Sequence, residues 1–232
     1  MDRETRNRDA NFGSASEWEE KLINALPQTS FRSEPGERFR YSNIGYAILG
    51  LAISRAANKP YIQLIEEEIL SPLNMTNTFF VVPDEKTKKL AEDMAGGPTA
   101  ELNFQLPLDE HNGRGYRIPN GGLYSTISDL TEFMKACMGE RKLLNQESLA
   151  MIYSTQTPTS GLRANYSLGF DLYSDQGINT IGHGGSTPRY SAHFEFEKDS
   201  KHGIILLRNY NFGNTNLDLR SNGLLRKLST LQ

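Results

Sequence analysis

The sequence predicts an α+β fold, on three observations. Apolar residues recur at helical spacing through the first two-thirds of the chain. The period drops to two in the region after residue 160, and the final stretch returns to helical spacing. Helices first, antiparallel strands next and a covering helix last make the α+β pattern. A chain of 232 residues, 37% hydrophobic and 23% charged, can bury a sizeable core. The boundaries expected are a mostly helical part over 1–160 and a part with antiparallel strands and a C-terminal helix over 161–232.

The elements follow in order. Ser16 with Glu19 reads as a capping box ahead of Leu22, Ile23 and Leu26, and Pro27 closes that helix. Residues 43–57 place Ile44, Ala47, Ile48 and Leu51 on one helical face. Pro60 suits a first helical turn, and Tyr61, Ile65 and Ile69 continue it to just before Pro72. Residues 81–120, rich in Pro, Gly and charge, read as a long surface excursion. Thr126 with Asp129 opens a helix carrying Ile127, Leu130, Phe133, Met134 and Cys137, and a short helix follows Asn145. Tyr190, Ala192, Phe194 and Phe196 alternate with Ser191, His193, Glu195 and Glu197, which is strand spacing. A polar turn over Lys198–His202 leads to Ile204–Leu207. The expected hairpin has a half-buried first strand and a more deeply buried second. Asn214 is expected to cap a last helix through Leu217, Leu224, Leu225 and Leu228.

Composition excludes several function classes. A net charge of -3 gives no reason to expect a nucleic-acid partner. The one cysteine, Cys137, rules out an intramolecular disulfide framework and a Cys-rich zinc site, and its apolar setting reads as a buried inert thiol. The apolar stretch Tyr46–Ile53 is too short to span a bilayer, and the charged N-terminus carries no signal-peptide core, so the chain itself shows neither a membrane segment nor an export signal. No two of the four histidines stand at metal-ligand spacing. Neither a Gly-x-Ser-x-Gly elbow nor a phosphate-binding Gly-x-x-x-x-Gly-Lys occurs.

Two segments carry more specification than packing needs. In Pro35-Gly36-Glu37-Arg38-Phe39-Arg40-Tyr41-Ser42-Asn43, a turn delivers Tyr41 and Asn43 to the start of a helix, two apart and so on one face of an extended approach. A helix cap with a core tyrosine would also explain it. The second segment is Gly182-His183-Gly184-Gly185-Ser186-Thr187-Pro188. Glycines in a strand allow close approach of a ligand or another backbone, and a bulge or turn is the plainer reading.

Together these segments resemble the serine β-lactamase-like hydrolases: class C β-lactamases, D-Ala-D-Ala carboxypeptidases and related esterases. Tyr41-Ser42-Asn43 is similar to the family's Tyr-x-Asn motif, and His183-Gly184-Gly185 to its Lys-Thr-Gly element in the His-Gly-Gly variant. Further similarity lies in Pro35-Gly36, in Ser71 through Thr78, in Pro119 through Thr126 with Asp129-Leu130, and in Tyr166 through Phe170, which resembles a family strand. The resemblance covers roughly 12–212 in order and implies the β-lactamase/transpeptidase-like fold. One element is absent. None of the ten lysines has a serine three positions before it, so these 232 residues hold no Ser-x-x-Lys nucleophile motif. The expectation is a fragment in which Met1 is an internal or truncated start, so that 1–160 and 161–232 form one incomplete domain lacking N-terminal strands and the nucleophile helix. The parent could then be an exported protein, with its compartment unknown. The alternative is a non-catalytic binding or structural homologue that has lost the nucleophile.

The resemblance implies roles. Tyr41 would hydrogen-bond the serine and help move its proton; Asn43 would bind the substrate amide and hold the lysine. His183, Gly184, Gly185, Ser186 and Thr187 would bind an extended substrate, with a backbone N–H from Ser186-Thr187 on the oxyanion. Histidine in place of lysine removes a fixed positive charge. That favours esters, amides or small peptides over substrates held by a carboxylate, unless Arg189, where the family often has glycine, supplies the charge. The implied partner is a small-molecule or peptide substrate, and no metal or organic cofactor is implied.

Overall fold

The computed structural model describes residues 1–91, 114–155, 165–175, 177–187, 190–210 and 216–230. The chain divides into two compact units. The first is built from Met1–Leu90 and the described part of Gln105–Ser125, the second from the described parts of Thr126–Thr157 and Arg163–Gln232.

In the first unit, helix α1 (Trp18–Ala25) is preceded by a 3-10 turn over Ala15–Glu17. The capping box sits two residues before its expected place. Ser14, not Ser16, is the extended residue, because Gly13 at φ 126 turns the chain just ahead of it, and Ser14 N–H donates to Glu17 Oε2 at 2.7 Å. Helix α2 (Asn43–Ala57) buries Ile44 and Ala47, with Ile48 and Leu51 packed beside them, and ends at Asn58 in the left-handed conformation. Helix α3 (Tyr61–Ile65) runs on as a π turn over Glu66–Leu70. Short helices α4 (Asp84–Thr87) and α5 (Ile118–Gly121) follow among the described residues of the unit. Its core is Trp18, Leu22, Ala25, Ile44, Ala47, Phe80, Tyr116 and Ile118.

Tyr116 and Ile118 correct the expectation of a surface excursion over 81–120. Both are fully buried, at 0% and 1% exposure. Composition averaged over forty residues hides them, and Gly115 turns them inward. It has φ 53, and a Cβ there would lie 2.1 Å from the Ala10 carbonyl oxygen, an approach open to glycine alone. Residues 92–113 of that stretch lie outside the described residues.

In the second unit, helices α6 (Ile127–Cys137) and α7 (Gln146–Ile152) accompany an antiparallel sheet of β1 (Asp171–Asp175), β2 (Ile178–Ser186), β3 (Ser191–Glu197) and β4 (Gly203–Arg208), in that order, with α8 (Leu217–Ser229) last. Thr126 and Asn145 cap α6 and α7 as the sequence predicts. One sheet face packs Ile181, Phe194, Phe196 and Ile205 against Met134, Cys137, Leu149 and Ile152. Burial pushes the Cys137 thiol up to about 12, which keeps it protonated and inert.

Four expectations change here. The polar set on β3 is not exposed: His193, Glu195 and Glu197 are 6%, 4% and 3% exposed. Strand alternation says which residues share a face, not what covers it, and Asn222 of α8 bonds directly to Glu195 on this one. For the same reason β3 is the deeply buried half of the hairpin and β4, at the edge of the described sheet, the half-exposed one. Tyr166 through Phe170 is not a strand. Gly169 at φ 89 folds it back, Tyr166 makes one bridge to Asp171, and the strand starts there. The cap of α8 is Asn216, which accepts from Leu219 N–H at 3.1 Å; Asn214 lies outside the described residues.

Candidate functional site

The Tyr-x-Asn segment lies at the N-terminus of α2. Any helix leaves its first four N–H groups without intrahelical partners. Here Asn43 and Ile44 donate to Arg3 O at 2.9 and 3.3 Å and Gly45 donates to the Ser42 hydroxyl oxygen at 2.9 Å; Tyr46 N–H to Ser42 O, at 3.2 Å, is the first intrahelical bond. The middle residue of the motif is therefore the cap, which leaves the side chains of Tyr41 and Asn43 for other partners. The Ser42 hydroxyl in turn donates to Asp2 O at 2.5 Å. Residues 2–4 thus run across the helix start and carry Glu4 to the site. Asn43 Nδ2 donates to one oxygen of Glu4 and the Tyr116 hydroxyl donates to the other, with Arg117 Nη2 3.6 Å away. The Arg3 guanidinium lies over the Tyr41 ring, 5.4 Å from its centroid.

Glu4 and Tyr116 were not legible as site residues. Glu4 lies 39 residues from Asn43 in sequence, and Tyr116 lies in a stretch read as surface. Burial, reinforced by the Glu4 carboxylate, pushes the Tyr116 phenol up to about 12. Replacing Glu4 by Gln removes the negative charge that opposes phenolate formation and leaves burial in place. Tyr116 is then expected to titrate at lower pH, though still above a free tyrosine. Carbon-13 tyrosine spectra between pH 9 and 12 follow it, and an unmoved Tyr116 midpoint would show that Glu4 is not its partner.

The His-Gly-Gly segment forms the second half of β2. The β1 ladder covers 178–182 and ends at Asp171↔Gly182; the β3 ladder runs on to Ser186↔Ser191. The glycines have separate reasons. A Cβ on Gly182 would lie 2.2 Å from the Phe194 carbonyl oxygen, so β2 and β3 approach too closely for any side chain. A Cβ on Gly184 would crowd His193 Nδ1 at 3.0 Å and Asp218 Oδ1 at 3.1 Å. At Gly185 the same position has nothing within 4 Å among the described residues, so its side of the strand is open with respect to them. Thr187 N–H donates to Tyr190 O at 2.9 Å, and the Thr187 hydroxyl oxygen accepts from Tyr190 N–H at 3.1 Å. That commits the Thr187 N–H of the expected Ser186-Thr187 pair. Arg189 lies outside the described residues.

His183 is half-buried. Its Nδ1 lies 2.6 Å from Gly184 O, and its Nε2 lies 3.1 Å from the Tyr166 hydroxyl, with the two rings edge to face at 5.8 Å. Behind the strand, Glu195 accepts from Thr180 Oγ1 and from Asn222 Nδ2 (3.0 and 3.2 Å to its two oxygens) and lies 3.2 Å from His193 Nε2. His193 Nδ1 lies 2.8 Å from Asp218 Oδ1, a close contact without the alignment of a hydrogen bond. Ser221, fully buried, approaches the same Glu195 carboxylate with similarly incomplete alignment. Burial raises the Glu195 carboxyl, but hydrogen bonding from its polar neighbours outweighs it and holds the group below the usual carboxylate range.

Helices, a four-stranded antiparallel sheet and a closing helix in this arrangement are the β-lactamase/transpeptidase-like fold. A β-lactamase/D-alanine carboxypeptidase from Pseudomonas syringae superposes with a TM-score of 0.72 at 18% identity, over 92% of this chain and 65% of that one. D-amino acid amidase from Ochrobactrum anthropi SV3 gives 0.72 at 19%, over 98% and 69%. The profile of the Beta-lactamase family matches residues 2–225, and the chain belongs to that family. A beta-lactamase-like protein of Arthroderma benhamiae is 25% identical over 195 residues, 81% of this chain and 31% of that protein. The chain spans about a third of the length of the curated relatives it matches. Among the described residues no helix is long and apolar enough to cross a membrane.

Proposed function

We propose that this chain is the part of a β-lactamase-like serine hydrolase that carries the Tyr-x-Asn helix and the His-Gly-Gly strand, and that the whole protein opens an ester, amide or small peptide bond through an acyl-enzyme. The observation that supports the reading is the division of labour at α2, where Ser42 caps the helix while Asn43 reaches the Glu4 carboxylate and Tyr41 lies under the Arg3 guanidinium. A packing motif needs the cap alone. Tyr41 takes and returns the proton of an attacking serine supplied by a Ser-x-x-Lys segment. Asn43 binds the substrate amide. The open side at Gly185 and the Ser186 N–H receive an extended substrate and its oxyanion. Arg189 remains a candidate for a positive charge beside that strand.

The test is intact-mass spectrometry after incubation with a fluorescent penicillin and with a p-nitrophenyl ester. The 232-residue chain is expected to form no stoichiometric adduct. The product of the surrounding reading frame, if it includes a Ser-x-x-Lys, is expected to acylate on that serine. Tyr41→Phe should slow its acylation about a hundredfold. A stoichiometric adduct on any serine of the 232-residue chain, or an unchanged rate in Tyr41→Phe, would overturn the assignment. The absence of Ser-x-x-Lys from these residues favours one second reading, a binding homologue without chemistry. Failure of that longer product to acylate would support it.

A further inference from the structure

We propose that Tyr166 is a positioning residue that locks His183 as its neutral Nδ1–H tautomer, with Nε2 turned onto the Tyr166 hydroxyl, so that this strand reads an uncharged acyl segment rather than a carboxylate. The inference deepens the hydrolase reading and rests on it only for the word substrate; the tautomer stands on geometry. A carbonyl oxygen can only accept, so the 2.6 Å contact between His183 Nδ1 and Gly184 O requires the proton on Nδ1. A neutral imidazole with its proton on Nδ1 has a bare Nε2, which can only accept. The hydroxyl 3.1 Å away, from a Tyr166 that is itself buried, is the matching donor. The chain thus runs Tyr166 O–H to His183 Nε2 and His183 Nδ1–H to Gly184 O. Each bond polarises the next and resists a flip of the ring.

The consequence for recognition is direct. A lysine at this place would present a point charge to a carboxylate. His183 in this tautomer presents neither a charge nor a free Nε2–H. On the same face of β2, a Cβ at Gly185 would meet nothing within 4 Å among the described residues, which leaves room beside His183. The substrate class that fits is an ester, amide or blocked peptide whose end beside this strand is uncharged.

Nitrogen-15 spectra of the imidazole side chains test this at pH 8, with His183→Gln identifying the His183 signals. The wild type is expected to show protonated Nδ1 and bare Nε2. Tyr166→Phe keeps the ring and removes the donor, and is expected to release His183 into a mixture of tautomers. An Nε2–H signal in the wild type, or an unchanged tautomer in a folded Tyr166→Phe, would overturn the proposal. Should Tyr166→Phe fail to fold, the wild-type spectrum alone decides. N-acetylglycine and its methyl ester are then titrated against the Gly185 amide signal. The ester is expected to bind more tightly than the acid, and His183→Lys to improve the acid about fivefold against the ester. Equal ratios in wild type and His183→Lys would overturn the recognition step. None of these readouts needs acylation, so failure of the hydrolase reading and failure of this one are separately visible.

Discussion

Replacing Glu195 by Ala is expected to destabilise the second unit by about 3–5 kcal/mol, the usual cost of removing one partner from a buried, hydrogen-bonded charge cluster. The carboxylate is 4% exposed and is the common acceptor for Thr180, Asn222 and His193. Alanine leaves three buried polar groups without that partner and opens a cavity as well. Asn222 is one of the links between α8 and the sheet, so the helix should loosen first, and hydrogen exchange along 217–229 should rise before the global melt. Asn222→Ala is the milder companion, since Glu195 keeps its strand partners. A Glu195→Ala melt within a degree of wild type would show that α8 is held by Leu225 packing instead.

The same cluster sets an acid limit. Glu195 is held below the ordinary carboxylate range in the folded protein, so the unfolded chain takes up its proton first as pH falls. Its contribution is complete above about pH 4.3, the unfolded value, and is lost as pH drops through the lower folded value. Glu197 behaves alike. Burial raises it, but the N–H groups of Ser200, Asn179 and Asp199 outweigh that and lower it. A Glu195→Gln variant should therefore show a flatter loss of stability with acid than wild type, read as urea midpoints between pH 3 and 6.

The second large effect is expected at Gly182. Alanine there places a carbon 2.2 Å from the Phe194 carbonyl oxygen and 2.8 Å from the Glu195 Cα. Both are backbone in the middle of the β2–β3 ladder, so no side chain can swing aside, and the strands must part. The cost should be ~3 kcal/mol or more. The displacement falls at the residue before His183, so the Tyr166 contact should be lost even in molecules that fold. Gly185→Ala is the control, because its Cβ meets nothing within 4 Å among the described residues and should leave stability within ~0.5 kcal/mol of wild type. Equal melts for the two variants would show that the close approach at Gly182 is not real.

Local chemistry along the chain determined a good deal. Thr126 and Asn145 announce helix starts because a cap acts within three residues, and the faces of α2 and β3 follow from periods of 3.6 and 2. Tyr41, Asn43 and the His-Gly-Gly run stand out because their spacing exceeds what packing demands. What the sequence could not supply was the covering of each face. The alternation on β3 put His193, Glu195 and Glu197 together correctly yet suggested solvent, whereas α8 brings Asn222 onto Glu195 from 27 residues away. Glu4 reaches Asn43 across 39 residues and Tyr116 across 112, and neither separation leaves a periodic trace. Tyr166 was noticed as part of a resemblance but not as the partner of His183, which needed the turn at Gly169 to bring it there. Period and capping are short-range and written locally. Which polar group neutralises which buried one is a long-range choice made by packing, and only the folded chain shows it.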